Sequence, residues 1–393
     1  MFNPAELAEI EAYHAPRYVY AAVDLVVWPV LLAVAARFLT RPLWRASERL
    51  AAWLGAKLAW ARRAPVLRVV AAALDRMWQG PGWGAALLFA LLFFELFTLL
   101  DLPWDIYFGY VREKQYGMSP MTPGAFAVDW LKGNTFVAVA VSSLAFGLFG
   151  LAKRLPAWWW VLGLVSSLVM VGSAAIDPYR ARIYVVQEPL ADGELKQRIT
   201  ALMEQAHIDF KDVLVDKTSA KTVRLQAYFA GTGPTRTINL NDSLLAALST
   251  DEILAAVAHE AGHVHESRWP ARIASALALL AFLYAVERLF RLTARRAWFG
   301  VTGRADVRVL PLIVLVFDLA MTAASPVSGA LSREREYAAD RSAVALTGDP
   351  AALRSMLVKA ARTNKMHPSP PRWYVLKGMS HPPIGERIDA VGR

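Results

Sequence analysis

Long apolar stretches alternate with polar segments along most of the chain, and their lengths predict transmembrane helices. A helix of about 20 residues is long enough to cross the hydrocarbon core of a bilayer. Six stretches have that length, at residues 18–39, 83–101, 135–152, 157–176, 270–290 and 307–328. The first begins too far along the chain and is too long for a signal peptide. Pro311, Asp318 and Pro326 interrupt the sixth stretch. The pattern predicts a mainly α-helical, multi-pass membrane protein with about six spans.

The segment between the fourth and fifth spans has a different pattern, which predicts a small α+β unit. Residues 190–206 have helical spacing of apolar positions, whereas 213–215 and 225–230 are rich in strand-forming residues. Residues 235–240 alternate apolar and polar side chains after a Gly-Pro turn. The predicted organisation has four parts: a membrane domain with four spans at 1–176, an α+β region at 177–269, two further spans at 270–328, and a polar C-terminal part at 329–393.

Composition agrees with a membrane location and narrows the chemistry. Apolar residues make up 56% of the chain and charged residues 19%, whereas soluble domains average about 45–50% and 25%. An ordinary cytosolic enzyme, a disordered chain and a fibrous chain are therefore excluded. Cysteine is absent, which excludes disulfide frameworks, cysteine-ligated zinc and thiol catalysis. Any metal must be bound by histidine and carboxylate side chains.

The formal net charge of +10 is better explained by membrane topology than by a nucleic-acid partner, which we do not expect. Lys and Arg concentrate in short cytoplasmic loops of membrane proteins. Here they concentrate in the first, third and fifth loops, whereas the N-terminal segment contains Glu6, Glu9 and Glu11. The basic loop residues are Arg41, Arg45, Arg49, Lys57, Arg62, Arg63, Arg68, Arg76, Lys153, Arg154, Arg291, Arg295, Arg296, Arg304 and Arg308. With six spans, this bias predicts an external, or periplasmic, face for the α+β unit and the C-terminus.

The motif His259-Glu260-Ala-Gly-His263 is the most specific chemical signal in the chain. Composition alone predicts only about 0.005 occurrences of His-Glu-x-x-His in a chain like this one. Ser249 and Glu252 form a capping-box pattern, so a helix is predicted to begin at Thr250. Positions i and i+4 share one face of a helix, so both imidazoles can bind one zinc ion with Glu260 beside it. Gly262 lowers helix propensity but permits a close approach by another element.

A catalytic zinc site takes three protein ligands, so a third ligand is needed. Glu336 and Asp340 lie four residues apart after the sixth span, again on one helical face. One carboxylate could bind the metal while the other accepts the second ring N–H of a ligating histidine. The sequence alone leaves open which does which, and Glu334 is a competitor.

The predicted chemistry is hydrolysis of a peptide bond by a zinc-activated water, with Glu260 as the general base. A developing oxyanion needs a donor besides the metal. His381 and Arg387 in the C-terminal tail are candidates for that role. We expect one zinc ion per chain and a peptide or membrane-protein substrate.

These motifs resemble the Ste24-type, or CAAX prenyl protease 1, family of membrane zinc metalloproteases, and in particular its bacterial relatives. Besides the zinc motif, the resemblance rests on four further stretches, at residues 102–107, 111–117, 189–195 and 238–245. It implies Glu336 as the third ligand, Asp340 as its supporting carboxylate, and His381 with Arg387 as a pair acting on substrate or oxyanion. It also implies a helical cage around an intramembrane chamber, in a bacterial inner membrane. The substrate-binding strand falls on Gln226, Ala227 and Tyr228, where eukaryotic members have Asn in place of Gln226.

Two other functions compete with a processing protease. One is a quality-control protease of the heat-shock membrane peptidase type. The other, from a different class, is a transporter or lipid-binding protein with a structural zinc ion. A transporter predicts paired discontinuous helices and repeat symmetry, and the sequence contains no internal repeat. A non-catalytic relative would be expected to lack Glu260 or a ligand, and all of these are present.

Overall fold

The N-terminal half is almost entirely helical in the computed structural model, which describes residues 2–57, 64–78, 82–172, 185–266, 269–296, 301, 303 and 305–391. Its helices are α1 (Pro4–Val34), α2 (Thr40–Lys57), α3 (Pro65–Trp78), α4 (Trp83–Ile106), α5 (Arg112–Gln115), α6 (Pro123–Arg154) and α7 (Trp158–Gly172). A π-helical turn at Ala35–Leu39 joins α1 to α2, and a second one at Tyr107–Val111 joins α4 to α5.

The prediction of a multi-pass helical protein is confirmed. Five helical segments in the described part of the chain are long and apolar enough to cross a membrane: Pro4–Lys57, Trp83–Gln115, Pro123–Arg154, Trp269–Arg296 and Val307–Thr347. The fourth predicted span coincides with the shorter apolar helix α7, and its residues 173–176 lie outside the described residues. Large apolar side chains on these helices are exposed, as a surface facing lipid requires.

Two carboxylates within the spans, Glu287 and Glu95, have polar partners. Glu287 is buried and accepts hydrogen bonds from the Trp158 indole and the Arg291 guanidinium, both at 2.7 Å. Glu95 accepts from the Asn134 side-chain amide at 3.2 Å. Because an unpaired carboxylate in hydrocarbon is costly, these contacts explain how the spans accommodate ionisable residues.

The remaining elements form the α+β unit and two long helices. In chain order they are β1 (Gln187–Pro189), α8 (Glu194–Gln205), β2 (Asp212–Asp216), β3 (Ala227–Ala230), β4 (Thr237–Asn241), α9 (Asp242–Ala247), α10 (Thr250–His265), α11 (Trp269–Arg296), α12 (Leu310–Thr347), α13 (Pro350–Thr363), α14 (Arg372–Gly378) and α15 (Ile384–Val391). The helix at 190–206, the strands β2, β3 and β4 and the helix start at Thr250 agree with the sequence pattern to within four residues, whereas β1 was not predicted.

The four strands form one mixed sheet in the order β1-β2-β4-β3. β2 and β4 are parallel, and the two outer pairs are antiparallel, with Tyr228 opposite Asn239. Ile238 and Leu240 are buried in a hydrophobic core with residues of α8 and α10. The strand β3 is at the edge of the sheet and lies beside α10.

The two sequence segments on either side of the last two predicted spans share one hydrophobic core. That core joins Ile199 and Val257, which precede α11, to Leu353 and Ile388, which follow α12. The helix α12 crosses the predicted boundary between residues 328 and 329 without a break, although Pro326 lies inside it. One continuous helix therefore connects the last span to the residues that follow it.

Candidate metal centre

The N-terminus of α10 is held by a hydrogen-bonded capping box, as predicted. The Ser249 amide donates to Glu252 Oε2 at 2.7 Å, and the Glu252 amide donates to Ser249 Oγ at 3.4 Å. Lys359 Nζ and Ser355 Oγ from α13 also donate to the Glu252 carboxylate, at 2.7 and 2.6 Å. Burial alone would raise the pKa of Glu252, but these hydrogen bonds lower it. The start of the motif helix is therefore tied to the C-terminal part of the chain.

Gly262 permits the close approach that brings Glu336 to the motif. A Cβ atom at Gly262 would lie 2.9 Å from the Cα atom of Ala339 on α12 and 3.2 Å from its carbonyl oxygen. Backbone atoms cannot rotate away as a side chain can. Since Glu336 and Asp340 flank Ala339 on the buried side of α12, the absence of a side chain at Gly262 allows both carboxylates to approach the two histidines closely.

We expect Gly262→Ala to destabilise the protein although alanine is the better helix former. The helix-propensity gain is about 1 kcal/mol, whereas overpacking against a backbone costs about 1–3 kcal/mol. The variant should unfold at a lower temperature in detergent and retain less metal. Gly133→Ala on α6 is the matched control, because a Cβ there meets nothing within 4 Å. A Gly262→Ala protein as stable and as metal-rich as the Gly133→Ala protein would contradict the proposed packing.

The side chains of His259, His263 and Glu336 converge on one point. Each offers a donor atom, and the three atoms lie within 4.8 Å of one another. His259 Nε2 is 3.5 Å from Glu336 Oε2, and His263 Nε2 is 3.5 Å from Glu336 Oε1. Two ligands at about 2.0–2.1 Å from a tetrahedral metal are about 3.4 Å apart. The spacing of the donors fits a single small divalent cation.

The other ring nitrogen of each histidine faces a carboxylate. His259 Nδ1 lies 2.9 Å from Asp340 Oδ1, and His263 Nδ1 lies 3.1 Å from Glu266 Oε1. A carboxylate at Nδ1 favours the tautomer in which Nδ1 donates its proton and Nε2 keeps its lone pair for a metal. Both imidazoles are thus oriented as ligands.

Arg387 holds the two carboxylates of α12. Its Nη2 and Nε donate to Asp340 at 2.7 and 2.8 Å, and its Nη1 lies 3.1 Å from Glu336 Oε2. Glu336 Oε2 is buried, and besides Arg387 it faces His259 Nε2 at 3.5 Å. A buried carboxylate whose two oxygens each face the Nε2 atom of a different histidine fits a metal ligand.

Burial and neighbouring carboxylates shift the pKa values of His259, Glu260 and His263. Burial lowers the pKa of His259, but hydrogen bonds to Asp340 and Glu336 outweigh it and raise the pKa to about 9. The hydrogen bond to Glu336 likewise raises the pKa of His263. Burial raises the pKa of the Glu260 carboxyl above its usual range, towards the value suited to a general base near neutral pH.

His381 and Arg387 occupy different positions at the centre. His381 is exposed, and its Nε2 lies 3.5 Å from Glu336 Oε1. Arg387 is only 5% exposed, and its guanidinium is engaged by Asp340 and Glu336. Glu334, the competing carboxylate, is exposed, and the convergent donor group does not include it.

Within the described residues, the strand at Gln226, Ala227 and Tyr228 pairs with a neighbouring strand along one edge. The amide of Asn241 donates to the carbonyl of Gln226 at 3.1 Å, so Gln226 and, by the alternation of an antiparallel ladder, Tyr228 direct their backbone groups towards β4. Ala227 and Phe229 then direct theirs away from the sheet. The Tyr228 hydroxyl donates to Asp216 Oδ2 at 2.7 Å.

Two residues were missed in the sequence. Glu266 contacts the His263 ring at Nδ1. The sequence could have indicated it only through its position, three residues after His263 and at the end of the same helix. Phe229 presents the second outward pair of backbone groups, and strand alternation could have indicated it once the pairing with β4 was known.

Comparison with known proteins also indicates a membrane metalloprotease. The family model for peptidase family M48 matches residues 189–393, and that for the N-terminal domain of CAAX prenyl proteases, with five membrane helices, matches residues 43–180. An uncharacterized metalloprotease of Bacillus subtilis, YhfN, is 32% identical over 305 residues, which cover 74% of this chain and 69% of that protein. CAAX prenyl protease 1 of Saccharomyces cerevisiae is 26% identical over 328 residues, covering 78% and 72%.

A solved structure agrees in fold. The crystal structure of Ste24p from S. mikatae matches with a TM-score of 0.70 at 23% identity and covers 99% of both chains. The spans, the helix carrying the motif and the convergent ligands together define a membrane metalloprotease. The chain belongs to peptidase family M48.

Proposed function

We propose that this chain is a zinc endopeptidase in which His259, His263 and Glu336 bind one zinc ion and Glu260 is the general base. The observation that supports this most is the spacing of the three donors, with Glu336 oxygens 3.5 Å from both Nε2 atoms. A His-His-carboxylate set that leaves the fourth position open is typical of catalytic zinc.

Each residue then has a distinct role. Bound zinc supplies the Lewis acidity that makes water a nucleophile near neutral pH. The Glu260 carboxylate accepts a proton from that water and later donates it to the leaving amine. The exposed His381 can donate to the carbonyl oxygen of a substrate. Asp340 orients His259, and Arg387, buried behind both carboxylates, keeps Glu336 and Asp340 in place.

The edge of β3 is the proposed peptide-binding surface. Outward backbone groups of Ala227 and Phe229 can pair with an extended peptide, as in other cases of strand addition. Because β3 lies beside α10, such a peptide would run past the motif. The substrates proposed are peptides or membrane proteins, and backbone pairing sets no requirement for a lipid modification.

Removal and restoration of the metal test the proposal. The protein purified in detergent should contain about one zinc ion per chain, and a chelator should abolish peptide cleavage. Stoichiometric zinc should restore cleavage, whereas magnesium should not, because the donor set is imidazole-rich. Metal content is measured by elemental analysis and cleavage by mass spectrometry. Cleavage that persists in chelated, metal-free protein would refute the mechanism.

We further propose that the protein lies in a bacterial inner membrane with its catalytic face outside the cytoplasm. The support is the excess of Arg and Lys in the first, third and fifth loops. A C-terminal alkaline phosphatase fusion should be active, and a C-terminal fluorescent protein that matures only in the cytosol should be dark. The reverse pattern would place the metal centre in the cytoplasm.

A further inference from the structure

Arg224, three residues before β3, binds a buried carboxylate of the membrane domain. Its Nη1 and Nη2 donate to the two oxygens of Glu113 at 2.6 and 2.9 Å, and Nη2 also lies 2.9 Å from the Tyr13 hydroxyl. The Tyr13 hydroxyl in turn donates to Glu113. Glu113 is 6% exposed. A bidentate arginine–carboxylate pair has a defined geometry as well as strength, so Arg224 is held in one orientation relative to α1 and α5.

The backbone that follows Arg224 is also held on both sides. The carbonyl of Arg224 accepts from Asn241 Nδ2 at 2.6 Å. Asn364, just after α13, binds both backbone groups of Leu225: its Oδ1 accepts from the amide at 2.8 Å and its Nδ2 donates to the carbonyl at 3.1 Å. The amide of Gln226 donates to Asn241 Oδ1 at 3.1 Å. The entry to β3 therefore has little freedom to shift.

The residues before Arg224 are attached to the membrane domain as well. The amide of Val223 donates to the carbonyl of Met118 at 3.1 Å, and Ser119 Oγ donates to the carbonyl of Lys221 at 2.7 Å. Lys221 Nζ reaches Asp129 on α6 at 2.6 Å. The whole segment from 221 to 226 thus connects the membrane domain to the edge strand.

We propose that Arg224 and Glu113 are positioning residues that hold the β3 edge in register with the metal centre for an incoming peptide. This inference rests on the proposed function, in which Ala227 and Phe229 pair with substrate. Among the described strands, β3 pairs only with β4. The ion pair with Glu113 attaches the start of β3 to a second structural element outside the sheet. Pre-organising a binding strand reduces the entropy that substrate binding must offset.

The charge pair is better suited to positioning than to stability. A buried ion pair contributes little net stability, because desolvation offsets the attraction, although removal of one partner is costly. Arg224→Ala would leave Glu113 buried and unpaired. The double variant Arg224→Ala with Glu113→Gln removes both charges and should fold more stably than the single variant.

Steady-state kinetics of the protein in detergent distinguish an effect of Arg224 on strand position from an effect on stability. The substrates are two peptides with the same scissile sequence, one of six residues and one extended by several residues at each end. Arg224→Ala should raise KM for the long peptide about tenfold and change kcat little, because the lost interaction is ground-state binding. KM for the short peptide and the zinc content should be unchanged. Arg198→Ala, which removes an exposed pair with Asp251, is the matched control and should behave as wild type.

The double variant decides between the two roles. Positioning predicts that thermal stability recovers in the double variant while KM for the long peptide stays high. Recovery of KM together with stability, or a wild-type KM in Arg224→Ala, would overturn the inference alone. Absence of zinc-dependent cleavage by the wild-type protein would overturn the proposed function and this inference with it.

Discussion

Glu260→Gln should keep its metal and lose at least about a thousandfold in kcat/KM, within the range expected when a general base is removed. The amide has almost the same shape as the carboxylate but cannot accept a proton from water. Glu260 lies between His259 and His263 on α10 and is absent from the convergent donor group, so we expect zinc binding not to depend on its charge. Burial raises the pKa of Glu260, which places its proton affinity nearer to the acidity of a zinc-activated water.

The measurement is zinc content and peptide cleavage on the same preparation. Glu204→Gln, on the exposed side of α8, controls for the loss of one negative charge. Cleavage at the wild-type rate by the zinc-loaded Glu260→Gln protein would exclude Glu260 as the base. Loss of zinc with loss of cleavage would instead show that Glu260 acts on the metal site.

Glu336→Gln should lose the metal itself and, with it, cleavage. The carboxylate is the only anion directly opposite both Nε2 atoms within the described part of the site, and a neutral amide is a much weaker zinc ligand. Loss of a group that only orients a ligand lowers metal affinity about 10–100-fold, so loss of a ligand should lower it about a hundredfold or more. The variant should also be less stable, because Arg387 is buried against this carboxylate.

Glu334→Gln is the matched control for this prediction, since Glu334 is exposed on the same helix two residues earlier. Zinc competition titrations with a chromophoric chelator measure both variants. Equal affinities for Glu334→Gln and Glu336→Gln would remove Glu336 from the ligand set. A loss in Glu334→Gln alone would assign the third ligand to Glu334 instead.

Local patterns were sufficient to predict much of this protein. Five of the six apolar stretches coincide with helices long and apolar enough to span a membrane, because crossing hydrocarbon imposes length and composition on each helix separately. The helix that carries His259 and His263 was predicted down to its first residue, Thr250, because capping and the i, i+4 spacing are local properties. The strands β2 and β4 also followed from residue type and alternation.

Contacts between distant segments were decided only by the tertiary structure. The sequence left Glu336 and Asp340 interchangeable as the third ligand, since both lie on one helical face. In the structure Glu336 faces both Nε2 atoms, whereas Asp340 faces His259 Nδ1 and Arg387. That distinction depends on how α12 lies across α10, which the contact of Gly262 with Ala339 sets. A spacing along one chain segment determines which side chains share a face, but only the packing of two helices determines which of them reaches a metal ion.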